Sequence, residues 1–262
     1  MPANLETPGT ATPHTAPADL AIGVDVGGSS IKCALVDLSD GRLASLRHSV
    51  PTPAHGAIDT LLASIATVTA KLPGEHPIGL AFPSVITRGI VRTAAHLNRD
   101  WIGQPLAALA TRQLGRPVIA INDADAAGLA ELHYGVAKDV PGTVLCLTLG
   151  TGIGSGLFID GTLVPNTELG HLEVDGREAE QRAAGRIKVE QHLSWDAWSA
   201  ELNRVLAALH ALLWPDLIVL CGGITDEPES FLSKLRCESV LKIGELRADA
   251  GIVGAALATR LA

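Results

Sequence analysis

One device occurs twice in this chain, and it restricts the possible folds more than any other feature. The apolar run Ala21-Ile22-Gly23-Val24 leads into Asp25-Val26-Gly27-Gly28-Ser29-Ser30-Ile31-Lys32, then Cys33-Ala34-Leu35-Val36-Asp37 and an Asp40-Gly41 turn. Later, Val144-Leu145-Cys146-Leu147 leads towards Leu149-Gly150-Thr151-Gly152-Ile153-Gly154-Ser155-Gly156, then Leu157-Phe158-Ile159, an Asp160-Gly161 turn and Thr162-Leu163-Val164. Each copy reads as strand, Gly-rich turn, strand, Asp-Gly turn, strand. Glycine lets the main chain approach a ligand closely, and successive N–H groups can then converge on phosphate oxygens. Two such turns, one per half, predict a duplicated fold that grips a phosphoryl chain from both sides.

The remaining pattern alternates strands with helices. Strands are predicted over Ala21–Asp25, Cys33–Asp37, Arg42–Ser49, Ile78–Phe82, Val118–Ile121, Val144–Leu149, Ser155–Ile159 and Leu217–Cys221. Apolar residues at helical spacing predict a helix carrying Ile58, Leu61, Leu62, Ile65 and Leu72, and another carrying Leu106, Leu109 and Leu114 with Gly115 as its C-cap. The longest helix is predicted from Trp195 to about Trp214, capped by Ser194 and stopped by Pro215. A last small-residue helix covers Ala250 to Leu261. The implied class is α/β, with two related lobes and a central cleft. Hinges are expected near Asn122 and Leu246. That gives a small lobe of residues 20–122 plus 246–262, a large lobe of 123–245, and a Pro-, Thr- and Ala-rich disordered tail over 1–19.

Composition removes several classes of function. With 262 residues and 47% hydrophobic content the chain can bury a large core. It has no apolar stretch long enough to span a bilayer and no basic-then-apolar leader, so neither membrane nor secretion is expected. Cys33, Cys146, Cys221 and Cys237 are far apart and form no CxxC pair, which suits free thiols in a reducing cytoplasm. A net charge of -8 argues against a nucleic-acid partner.

Four segments carry chemistry. Neither Gly turn is a P-loop or a dinucleotide fingerprint, because no Gly-Lys-Ser/Thr follows and strands, not helices, come next. Asp25 ends its strand, where a carboxylate can hold Mg²⁺ through water; Lys32 either adds positive charge there or points to solvent. Val118–Ile121 ends abruptly in Asn122-Asp123, followed by a small-residue helix. Asp123 is placed to take a proton from an attacking hydroxyl while Asn122 bonds substrate, and Asp125 is assigned to capping and support. In Glu168-Leu169-Gly170-His171 the two polar residues share a face if the segment turns helically, and can bind adjacent sugar hydroxyls; Glu-x-x-His is also a metal-ligand spacing. Gly222-Gly223 ends another strand and can admit a ribose, a base or an extended phosphate chain. Each segment also has a plain structural reading, as a hairpin, an N-cap or a loop.

On these residues the chain resembles the ROK sugar kinases of the actin/hexokinase superfamily (ribonuclease H-like fold), and among them the actinobacterial polyphosphate glucokinases. The resemblance runs from about Ala21 to the end and rests on Asp25–Lys32, Asn122–Glu131, Leu147–Gly156, Pro165–Glu173 and Ala250–Ala256, with Glu178-Ala179-Glu180 and Leu193-Ser194-Trp195 as subgroup-like segments. It implies phosphoryl transfer from polyphosphate, often also from ATP, to the 6-hydroxyl of glucose, with Mg²⁺ as cofactor and a homodimer as assembly. It makes Asp123 the base. By the same resemblance Asn122, Glu168, His171 and Glu180 are expected to hold glucose, and Asp25, Gly27, Gly28, Ser29, Ser30, Lys32, Gly150, Thr151 and Gly152 to bind the phosphoryl donor. Gly222 and Gly223 match an adenosine motif. Typical ROK proteins carry a cysteine-rich zinc loop after the Gly-His pair, whereas Val174–Lys188 has no cysteine. No zinc site is therefore expected, and His171 is left for sugar. His96-Leu97 stands where many relatives have Asn-Leu, in the sugar-facing stretch, and Ala248 stands where relatives are often polar. The rivals are a strictly ATP-dependent kinase of the same fold, a DNA-binding repressor (for which the segment before Ala21 is too short) and an inactive sugar-binding protein.

Overall fold

The computed structural model describes residues 19–94 and 97–261. The expectation of a tail over 1–19, apart from Asp19 itself, and the sugar-facing role given to His96 fall outside the described residues.

The chain builds two five-stranded sheets with the same layout. In the first half β1 (Leu20–Val26), β2 (Ser30–Asp37) and β3 (His48–Pro51) run antiparallel, α1 (Ile58–Thr69) follows, and β4 (Ile78–Phe82) pairs parallel with β1. A small hairpin, β5 (Ile86–Thr87) and β6 (Ile90–Val91), precedes α2 (Leu106–Leu114) and β7 (Val118–Asn122), which pairs parallel with β4. The order is β3-β2-β1-β4-β7. α3 (Asp123–Tyr134) leads into the second half, where β8 (Thr143–Leu149), β9 (Ile153–Ile159) and β10 (Thr162–Val164) repeat the antiparallel meander. The hairpin β11 (Glu173–Val174) and β12 (Arg177–Glu178) follows, then helices α4 (Ala179–Ala183), α5 (Gly185–Glu190) and α6 (Trp195–Leu213). β13 (Leu217–Cys221) and β14 (Val240–Ile243) complete the order β10-β9-β8-β13-β14. α7 (Ala250–Ala258) closes the chain.

Local chemistry explains most boundaries. Gly115 ends α2 in the left-handed region at φ 65°, and Ser194 Oγ accepts from Ala197 N at 3.1 Å to open α6. The strand expected over Arg42–Ser49 is largely absent. Ser45 Oγ takes the Leu35 amide at 3.0 Å, leaving one bridge at Leu43, and pairing with β2 resumes only at His48. The short β5–β6 and β11–β12 hairpins, β14, α4 and α5 carry too few residues to register as periodic runs.

α3 and α7 are buried along almost their whole length and pack against each other between the sheets. Glycines set the spacing. A Cβ on Gly254 of α7 would sit 1.6 Å from the Ala126 carbonyl of α3; Cβ atoms on Gly23 and Gly79 would lie 1.8 and 1.6 Å from carbonyls of α7. Backbone therefore touches backbone at all three points. Nearby, the fully buried Glu131 accepts from the amides of Val136, Glu245 and Leu246 at 3.2, 3.1 and 2.9 Å. One carboxylate thus satisfies three donors and ties α3 to the crossing that leads into α7.

Gly254→Ala and Gly79→Ala should each cost more than about 2 kcal/mol in urea unfolding, because the atoms in the way are main chain. Wild-type midpoints in both variants would contradict this packing.

Candidate active site

The two Gly turns face each other across a cavity of about 990 Å³. A side chain on Gly28 would come within 3.9 Å of Thr151 Oγ1. Each turn is braced from behind. Thr52 Oγ1 donates to Gly27 O at 2.6 Å, and Thr52 N to Ser29 O at 3.1 Å. Arg186 donates its backbone N to Gly150 O and its Nε to Thr151 O, both at 3.0 Å. The turn carbonyls named here are thus engaged by protein.

The wall combines the first turn's Asp25, Gly27 and Gly28 with Asn122 and Asp123, and the second turn's Gly150, Thr151 and Gly152 with Gly222. Glu168, His171 and Glu180 form another part of the lining. Ser29, Ser30 and Lys32 do not line it. Lys32 lies opposite Asp25 in the β1–β2 ladder, with Nζ 3.7 Å from Asp25 Oδ2, so the solvent-pointing alternative for it does not hold. Gly223 lines a second, smaller cavity that adjoins the first at Gly150 and Thr151.

Asp123 is the first residue of α3. The capping role assigned to Asp125 belongs instead to Asn122, whose Oδ1 accepts from Ala124 N at 2.9 Å and Asp125 N at 3.0 Å. Asn122 Nδ2 donates to Ser84 O at 3.2 Å, which leaves one N–H for another partner. Relieved of capping, the Asp123 carboxyl accepts from Ala124 N at 2.9 Å. Burial, then the charges of Asp25 and Glu168, outweigh that bond and push its pKa up to about 7. Burial raises Asp25 as well, against the pull of Lys32. Two carboxyl groups that resist ionisation side by side favour a divalent cation between them and an anionic ligand, and hard oxygen donors suit Mg²⁺.

Asp125 keeps its supporting role by another route. Its Oδ2 accepts from Asn166 N at 2.8 Å, while the Asn166 side chain bonds the Ile86 amide and carbonyl at 2.7 and 2.9 Å. Asn166 thus fastens the loop carrying Glu168 to β5. Ser155 Oγ on β9 holds the same loop through Thr167 O and Leu169 N. Leu169–His171 turns as a 3₁₀ helix, which brings His171 Nε2 to 3.7 Å from Glu168 Oε2. Burial raises the Glu168 pKa, opposed by His171 and supported by Glu180.

His171 is less free than its cysteine-free surroundings suggest. Glu178 Oε1 lies 3.5 Å from Nδ1, and one donor atom each of His171, Glu178 and Glu180 fall within 4.8 Å of one another. Its neighbours are carboxylates where thiolates are missing. The supporting residues Thr52, Asn166, Glu178 and Arg186 act through backbone contacts or long-range pairs; Asn166 and Glu178 fall in segments that carry the family resemblance, but no local pattern assigns any of the four its partner.

Comparison with known proteins fits this geometry. The ROK family model matches residues 21–192. The chain belongs to the ROK family. It is 42% identical over 259 residues to a polyphosphate glucokinase of Mycobacterium tuberculosis (strain CDC 1551 / Oshkosh), covering 98% of this chain and 96% of that protein. Among solved structures, the inorganic polyphosphate/ATP-glucomannokinase of Arthrobacter sp. strain KM superposes with a TM-score of 0.90 at 43% identity, covering 92% of this chain and 98% of that one. A ROK family glucokinase from Streptomyces griseus, solved with glucose and AMPPNP, gives a TM-score of 0.77 at 26% identity, with coverages of 93% and 100%. The α/β, two-lobed, actin/hexokinase-like fold read from the sequence is thus the fold of this ROK chain. No helix among the described residues is long and apolar enough to cross a membrane.

Asp123 binds its proton more tightly in the folded chain, so its contribution to stability falls as pH rises from about 3.8 to about 7. Asp123→Asn, which cannot ionise, should therefore melt higher than wild type at pH 7–8 and about the same near pH 4. A lower melting temperature at pH 8 would contradict the raised pKa.

Proposed function

We propose that this chain transfers a phosphoryl group from inorganic polyphosphate, and also from ATP, to the 6-hydroxyl of glucose. The observation that carries the reading is a half-buried Asp123 with a pKa of about 7, sharing one cavity with two opposed Gly turns. The match to a polyphosphate glucokinase over 98% of the chain supports the choice of donor and acceptor.

In this mechanism glucose lies with its 6-hydroxyl against Asp123. Glu168, His171 and Glu180 bond the ring hydroxyls, with the remaining Asn122 N–H as a further donor. The 6-oxygen attacks the terminal phosphorus of the donor, a new O–P bond forms, and the bridging O–P bond breaks. Asp123 takes the hydroxyl proton, and the donor leaves one phosphate shorter. A pKa near 7 suits such a base, which must be ionised before attack and basic enough to accept. Backbone N–H groups of the two turns orient the donor in line, and alignment with charge neutralisation supplies most of the acceleration. Mg²⁺ held through water at Asp25 would supply charge neutralisation on the phosphoryl oxygens. Residues 20–122 with 246–262 form one lobe and 123–245 the other; closure between them excludes water as a competing acceptor.

A strictly ATP-dependent glucokinase or mannokinase is the second reading, favoured by Gly222 at the cavity wall and by the Streptomyces griseus glucokinase solved with AMPPNP. Coupled assay of glucose 6-phosphate with ATP or polyphosphate as sole donor separates the two, and polyphosphate should support turnover by itself. Asp123→Asn should keep glucose affinity while turnover falls by roughly 10²-fold or more. The wild-type kcat should rise with pH through about 7, following ionisation of Asp123. Retention of most turnover in the variant would remove Asp123 from the role of base.

A further inference from the structure

A second cavity, of about 400 Å³, shares Gly150 and Thr151 with the active site, so it continues the donor path past the second Gly turn. Its lining includes Arg186, Lys188, Trp195, Gly223 and the carboxylate of Glu227. An aromatic residue beside a phosphate turn ordinarily offers a face for a nucleobase. Here both neighbours of the indole are already in place. Phe231 stacks on Trp195 with ring centroids 5.5 Å apart and an interplanar angle of 21°, and Lys188 Nζ sits 4.0 Å from the Trp195 ring centroid. The cavity therefore meets an ammonium group held over the Trp195 ring. Arg186 is fixed at the junction by its two bonds to the turn carbonyls, and its NH1 is shared with Glu190 at 3.6 Å. Among the described residues Lys188 has no carboxylate within ion-pair distance, so its charge is open to a ligand.

We propose that this second cavity is the subsite for the trailing phosphates of a long polyphosphate donor, and that Lys188, seated on Trp195, selects a polyanion over a nucleoside there. The inference rests on the polyphosphate reading above and deepens it. A flexible polyanion needs only positive charge along its track, whereas a purine would have to displace Lys188 to stack. Glu227 adds a repulsive element that keeps the charge balance modest, consistent with a chain that must also slide and leave.

The experiment measures kcat and KM of the full chain with long-chain polyphosphate, tripolyphosphate and ATP, for wild type, Lys188→Gln and Lys188→Arg. Lys188→Gln should raise the KM for long-chain polyphosphate roughly tenfold or more, the scale of one lost charge-assisted contact. It should leave the glucose KM and the tripolyphosphate kinetics unchanged, and lower the preference for long-chain polyphosphate over ATP. Lys188→Arg, which keeps the charge and the stacking, should stay near wild type. Unchanged long-chain kinetics in Lys188→Gln, or equal weakening of all three donors, would overturn the subsite. A wild-type enzyme that uses ATP and no polyphosphate would refute the donor reading itself, a result separable from failure of the variant alone.

Discussion

Gly254 meets the Ala126 carbonyl so closely that no Cβ fits between them, and the rest of the molecule is arranged around that contact. It lets α7 lie flat against α3 while Gly23 and Gly79 let the same helix lie flat against the first sheet. Backbone contact at all three points removes the slack that side chains would introduce. Two sheets of equal layout are then held with their Gly-rich turns pointing into one cavity. A looser crossing would separate the turns, and neither turn alone surrounds a phosphoryl chain.

That arrangement has an electrostatic cost, which is also its chemical use. Asp25 and Asp123 are drawn into the same partly dry wall, each resisting ionisation because of burial, and Asp123 further because of its neighbour's charge. A carboxyl group so placed is a poor contributor to stability at neutral pH and a good proton acceptor there. Lys32 offsets only part of the charge on the Asp25 side. The remaining imbalance suits a ligand that brings a cation with its phosphates.

The polar supports share a logic. Glu131, Asn166, Thr52 and Arg186 each spend side-chain hydrogen bonds on main-chain atoms of a segment distant in sequence. Each fastens a loop that helical or strand pairing does not reach. The carboxyl proposed as the base is thereby spared: Asn122 caps α3, so Asp123 need not.

By itself the sequence determined the repeated strand–turn–strand units, the main helices, the strand end at Asn122-Asp123 and the Glu168–His171 pair. These are set by short-range rules: glycine at turns, period-two and period-3.6 apolar patterns, and a cap before a small-residue helix. Only the tertiary structure decided that Asp123 sits beside Asp25, that Lys32 turns to Asp25, and that Glu178 and Glu180 crowd His171. It also decided that the strand expected over Arg42–Ser49 gives way to a Ser45 side-chain bond, and that Lys188 covers Trp195. The physical reason is the same in each case. Local pattern specifies which conformation a segment adopts, whereas charge proximity, burial and side-chain-to-backbone bonds depend on which segments meet, and here the α3–α7 crossing decides that.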